Sequence, residues 1–154
     1  MGVAISLTVN GKAHSVEVGA TEMLVEVLRE RLNLVGTNRD CAQGICGACT
    51  VLMDGKPVTS CLLLAAQADG AKITTVEGLE KGGKLVPLQE AFLRHGAVQC
   101  GFCTPGFLMT STALLAENPK PSRDEIRDAL RGNICRCTGY KKIIDAVEDA
   151  AGRG

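Results

Sequence analysis

The chain has 154 residues, with 17 Lys and Arg against 17 Asp and Glu and a formal net charge of zero. A composition 45% hydrophobic and 22% charged excludes a disordered polymer or a fibrous repeat, and balanced charge with one Tyr, three Phe and no Trp disfavours nucleic-acid binding. The longest apolar run, Leu62 to Ala66, is far short of a bilayer span and the N-terminus lacks a secretory pattern, so a cytoplasmic protein without direct membrane insertion is expected unless a signal-bearing partner exports it.

Residues 3 to 9 alternate Val3, Ile5, Leu7 and Val9 with Ala4, Ser6 and Thr8, the period of a half-buried strand. Asn10-Gly11 predicts a tight hairpin turn into a return strand from Lys12 to Val18. Thr21 is a candidate cap for a helix to about Asn33, with Leu24, Val27, Leu28 and Leu32 on its apolar face. Gly36 to Ala48 has no period and reads as a loop. Strands over Thr50 to Met53 and Pro57 to Ser60 flank an Asp54-Gly55 turn, and Lys72 to Val76 makes a last strand. The polar, glycine-rich residues 78–85 then read as a linker.

Beyond it the pattern is helical. Val86 to His95 is closed by Gly96, and Thr104-Pro105 opens a helix to about Ala116 that Asn118-Pro119 ends. Ser122 with Glu125 is a capping box for a helix to Arg131, and Thr138 is a candidate cap for a last helix to about Ala150. The expected organisation is α+β, with domains over residues 1–77 and 86–154. Each half is small enough that a metal would usefully supplement its core.

Eight cysteines in a chain without a signal peptide point to metal binding or redox chemistry rather than structural disulfides. Buried, inert thiols would explain one or two; these fall into two sets of four. Cys41, Cys46 and Cys49 have the C-x4-C-x2-C spacing of plant-type ferredoxins, with Cys61 further on, and Gly44 and Gly47 suit a loop that turns its amides toward a [2Fe-2S] core. Cys100 and Cys103, then Cys135 and Cys137, form C-x2-C and C-x-C, a spacing that leaves zinc and [2Fe-2S] equally open. Both pairs are expected at helix N-termini, where the dipole favours the double negative charge of either tetrathiolate centre.

Three segments carry a family resemblance. Cys41-Ala-Gln-Gly-Ile-Cys46-Gly-Ala-Cys49-Thr-Val, Gln99-Cys100-Gly-Phe-Cys103-Thr-Pro-Gly and Asn133-Ile-Cys135-Arg-Cys137-Thr-Gly-Tyr140 resemble the small iron–sulfur subunit of the molybdenum hydroxylases, the superfamily of xanthine dehydrogenase, aldehyde oxidase and carbon monoxide dehydrogenase. The resemblance spans nearly the whole chain in order. It implies a β-grasp, ferredoxin-like [2Fe-2S] domain followed by a four-helix [2Fe-2S] domain. It also implies a large molybdopterin-binding partner subunit and usually a medium FAD subunit, with electrons passing from the molybdenum centre through both clusters. Gln99 is implied to contact the pterin, and Cys137 both to ligate iron and to lie on the electron path. Asp40 stands where such proteins usually have Gly; it either points to solvent or lowers the potential of the first cluster.

His14 and His95 read as surface histidines. Arg136 is either a salt-bridge former or a charge that raises the cluster potential. No nucleophile–base set, phosphate loop or carboxylate pair is present, so no substrate site is expected on this chain. A free two-cluster ferredoxin and a zinc-stabilised interaction module are the competing readings.

Overall fold

The structure, a computed structural model, describes residues 2–152. Strand β1 (Gly2–Val9) returns as β2 (Lys12–Gly19) through Asn10 and Gly11, whose φ values of 50° and 81° form the left-handed pair that matches a two-residue turn to the twist of its strands. β3 (Thr50–Met53) and β4 (Lys56–Thr59) repeat this at Asp54 and Gly55, with φ of 50° and 82°. The short β5 (Lys72–Thr74) runs parallel to β1 and antiparallel to β3, giving the sheet order β2-β1-β5-β3-β4. It ends before Val76 because the Thr75 amide leaves the ladder to donate to Asn10 Oδ1 at 2.9 Å.

One sheet face buries Ile5, Leu7, Val9 and Ile73 against Leu24, Val27 and Leu28. Full burial of each such side chain is worth about 1.5–3 kcal/mol. The helix carrying those leucines differs from the expectation. It comprises a single α-turn, α1 (Leu24–Glu26), that widens into a π-helix over Val27–Arg31, and Thr21 does not cap it. Tertiary hydrogen bonds explain the late start. Met23 is extended and bridged to Leu64, Leu24 N–H donates to Leu63 O at 2.8 Å, and Ala65 N–H donates to Glu22 O at 2.8 Å. The backbone around residue 22 is therefore committed to the chain after Cys61. Glu26 accepts the Met23 amide in place of a Thr21 cap.

The second half contains α2 (Pro87–Arg94), α3 (Thr104–Glu117), α4 (Arg123–Leu130) and α5 (Lys141–Ala150). The Ser122–Glu125 capping box is present, the carboxylate accepting Ser122 N–H at 2.6 Å. Helix α3 is the centre of this unit, with Gly106 through Ser111 all buried. The last helix begins three residues later than its candidate cap. Gly139 and Tyr140 are both left-handed, at φ 63° and 68°, which stops Thr138 from opening a helix.

The two halves share a boundary built from close contacts. Leu52 of β3 packs into the helical core while its neighbour Val51 faces the sheet core, so β3 is covered on both faces. The glycine-rich linker is a tight hairpin, Lys81 and Lys84 exchanging backbone hydrogen bonds at 3.2 Å, and Leu79 anchors it in the helical core. Among the described residues no helix is long and apolar enough to cross a membrane.

Candidate metal centres

All eight cysteines are unpaired, and direct sulfur contacts link Cys41 with Cys46, Cys49 with Cys61, Cys100 with Cys137 and Cys103 with Cys135. In the loop before β3, Ala42, Gly44 and Gly47 have φ of 52°, 72° and 69°, which curls the backbone and turns its amides inward. Gln43 and Cys46 each donate a backbone N–H to Cys41 Sγ at 3.4 Å. These two amides hold the Cys41 thiol down at about 7. Cys49, just before β3, and Cys61, just after β4, are buried together against Val25. Burial pushes the Cys49 thiol up to about 11, reinforced by the neighbouring Cys61, and burial also raises Cys46.

In the helical half, Cys100 and Cys137 lie with their sulfurs 3.6 Å apart at an exposed position. Cys103 caps α3 and pairs with Cys135, both more enclosed. Burial pushes Cys103 up to about 12, and contact with Cys135 adds to it. Cys137 is raised mainly by the Cys100 side chain. Burial opposes ionisation of Cys135, but hydrogen bonds from the Thr138 hydroxyl and amide outweigh it and bring this thiol below its usual value. The helix-dipole expectation therefore holds for Cys103. For Cys137 the residues that follow are a left-handed turn rather than a helix start.

Thiolate is the form in which each Sγ would bind a metal. A tetrahedral metal with thiolate bonds of about 2.3 Å holds two sulfurs about 3.7 Å apart, and the Cys100–Cys137 separation matches that edge. Within each set the direct sulfur contacts are Cys41 with Cys46 and Cys49 with Cys61, then Cys100 with Cys137 and Cys103 with Cys135, while the charges of Cys46 and Cys49, Cys100 and Cys103, and Cys135 and Cys137 also act on one another. Two pairs per set are what a two-iron core needs. Thiols that raise each other's pKa gain from cations placed between them, so the donor set fits a [2Fe-2S] group.

The loops that carry the two sets meet across the domain boundary. Ile134 N–H donates to Cys46 O at 2.9 Å, and Asn133 Nδ2 donates to Gly47 O at 3.1 Å. Asn38 Nδ2 donates to Phe102 O at 2.8 Å. The approach is close enough that a Cβ on Gly106 would lie 2.2 Å from Gly47 O. Asn133, which also accepts from the Thr110 hydroxyl at 2.9 Å, is a buried bracket that the sequence reading passed over. Its only signal there was a polar residue just ahead of the second cysteine pair.

Gln99 is exposed beside exposed Cys100, and Phe102, Ile134 and Tyr140 around this end are exposed as well. Asp40 is exposed, as is Arg136. His95 Nε2 lies 2.9 Å from Asp149 Oδ2, and His14 sits on β2 away from both sets in sequence.

Comparison with known proteins agrees with this arrangement. Residues 7–76 match the 2Fe-2S iron-sulfur cluster binding domain family and residues 75–148 the [2Fe-2S] binding domain family. The chain is 56% identical to the nicotine 6-hydroxylase small subunit of Paenarthrobacter nicotinovorans, covering 98% of this chain and 91% of that one. The crystal structure of quinoline 2-oxidoreductase from Pseudomonas putida 86 contains a chain 54% identical, with a TM-score of 0.93 over 99% of this chain and 98% of that one. The aldehyde oxidoreductase from Desulfovibrio gigas is 47% identical with a TM-score of 0.93, over 97% of this chain and 17% of that longer one. The chain belongs to the family of iron–sulfur subunits of the molybdenum hydroxylases, and its role is to carry electrons through two [2Fe-2S] clusters.

Proposed function

We propose that Cys41, Cys46, Cys49 and Cys61 hold one cluster in the ferredoxin-like domain (residues 1–77), and that Cys100, Cys103, Cys135 and Cys137 hold the other in the helical domain (residues 86–154). The linker of residues 78–85 joins them. Each cluster, when bound, supplies a one-electron couple. The chain's own residues set the distance between the two sites, shield Cys49 and Cys61 from water, and leave Cys100 and Cys137 accessible.

The partners proposed are a large molybdopterin-binding subunit, which holds the substrate, and a medium FAD subunit. Exposure of Gln99, Cys100 and Cys137 at one end, with apolar Phe102 and Ile134 beside them, supports seating that end against the pterin. The ferredoxin domain is then left toward the flavin. A cytoplasmic location is proposed from the eight unpaired thiols.

The observation that supports this reading is the Cys46–Ile134 hydrogen bond, which joins the loops that carry the two thiol sets. The test is rapid freeze-quench spectroscopy of the whole complex carrying Gln99→Ala. Reduction of the helical-domain cluster by substrate should slow about tenfold, one hydrogen bond's worth, while exchange of the ferredoxin-domain cluster with flavin stays unchanged. Slowed flavin exchange with wild-type substrate reduction would reverse the direction. Purification as a lone, fully active carrier would favour the free ferredoxin instead.

A further inference from the structure

Thr138 does not cap α5; its side chain is turned the other way. The hydroxyl donates to Cys135 Sγ at 3.1 Å, and its own amide donates to the same sulfur at 3.3 Å. The hydroxyl oxygen in turn accepts Tyr140 N–H at 3.3 Å. With that lone pair occupied, the hydroxyl proton is directed at the sulfur. Tyr140 completes the brace, because its phenol oxygen accepts Cys135 N–H at 3.1 Å. Both ends of Tyr140 reach this loop only because its backbone is left-handed, at φ 68°, a conformation a bulky residue adopts when its surroundings hold it there. The ring is held in an edge-on contact with buried Phe107, centroids 6.2 Å apart.

Among the described residues no other cysteine sulfur accepts a hydrogen bond from a Ser, Thr or Tyr hydroxyl. Cys41 Sγ receives two amides at 3.4 Å, longer and without a side-chain donor. Hydrogen bonds to a ligand sulfur favour the more negative, reduced state of an iron–sulfur centre.

We propose that Thr138 is a positioning residue that raises the reduction potential of the helical-domain cluster through its hydroxyl bond to Cys135, with Tyr140 orienting that hydroxyl. The proposal rests on Cys135 being an iron ligand. Its consequence is a built-in difference between the two clusters, set by one side chain.

The experiment is a redox titration of the assembled complex, following both clusters by electron paramagnetic resonance in the wild type, Thr138→Val and Thr138→Ser. The Val variant keeps the shape and loses the donor. It should shift the reduction equilibrium of the helical-domain cluster about tenfold toward the oxidised form, about 59 mV for a one-electron couple, with the ferredoxin-domain cluster within twofold of wild type. The Ser variant should restore the wild-type value. An unshifted Val variant, or a Ser variant shifted as far as Val, overturns the proposal. If Val fails to assemble the cluster, the wild type decides through its exchangeable protons: two strongly coupled protons at the Cys135 sulfur, from the Thr138 amide and hydroxyl, support the role, and the amide proton alone overturns it. Cys135→Ala separates the underlying assumption, since survival of the helical-domain signal in that variant would remove Cys135 from the ligand set itself.

Discussion

The thiols differ in what surrounds them, and the differences are local. Two inward amides hold Cys41 down at about 7, whereas burial pushes Cys49 and Cys103 up to about 11 and about 12. Replacing one cysteine should remove one cluster. Cys41→Ala should abolish the ferredoxin-domain resonance and keep the other, and Cys100→Ala should do the converse. Loss of both resonances from a folded chain bearing either substitution would contradict four ligands per domain. At this scale the first set was legible from its ferredoxin spacing, whereas the spacing of the second left zinc and [2Fe-2S] equally open and only the family resemblance chose between them. The roles of Thr138 and Asn133 were not legible, since each depends on which way a short side chain turns after the loops have closed.

Between elements, the decisive contact is α3 against the Cys41–Cys49 loop. Gly106 is required by the 2.2 Å that a Cβ would leave to Gly47 O, whereas Gly132 has open space around it and an ordinary φ. Gly106→Ala should destabilise by about 1–3 kcal/mol through overpacking and slow exchange between the clusters, while Gly132→Ala should leave both unchanged; thermal melts and freeze-quench kinetics read the two effects. Helices α4 and α5 are tied by Arg123, which reaches Asp145 at 2.7 Å and also pairs with Glu148. Hydrogen bonds from Lys141 and then Arg123 hold the Asp145 carboxyl below its ordinary value. A depressed carboxylate contributes stability that is present above its unfolded pKa of about 3.9 and is lost as pH falls through the folded value. Wild type should therefore exceed Asp145→Asn in denaturant resistance at pH 6, and the gap should close below about pH 4. The hairpins and capped helices were readable because Asn-Gly, Asp-Gly and Ser-x-x-Glu encode their geometry within four residues. Helix α1 was misread because its start is set by hydrogen bonds to residues 60 to 65, which no local period reveals.

Across the whole molecule, two small cores, with Leu52 of β3 reaching into the helical one, hold two thiol sets on either side of one hydrogen-bonded seam. Tunnelling falls steeply with distance, so a relay requires this closeness, and neither domain alone provides it. Sequence order placed both sets but could not show that their loops meet. The most direct test of a two-cluster relay subunit is a reductive titration of the native complex, combining metal and sulfide analysis with paramagnetic resonance. Two distinct [2Fe-2S] resonances of equal intensity, with two iron atoms and two labile sulfides for each of the two binding domains, are predicted. Zinc in place of iron in either set, or a single resonance that accounts for all the iron, would contradict the account.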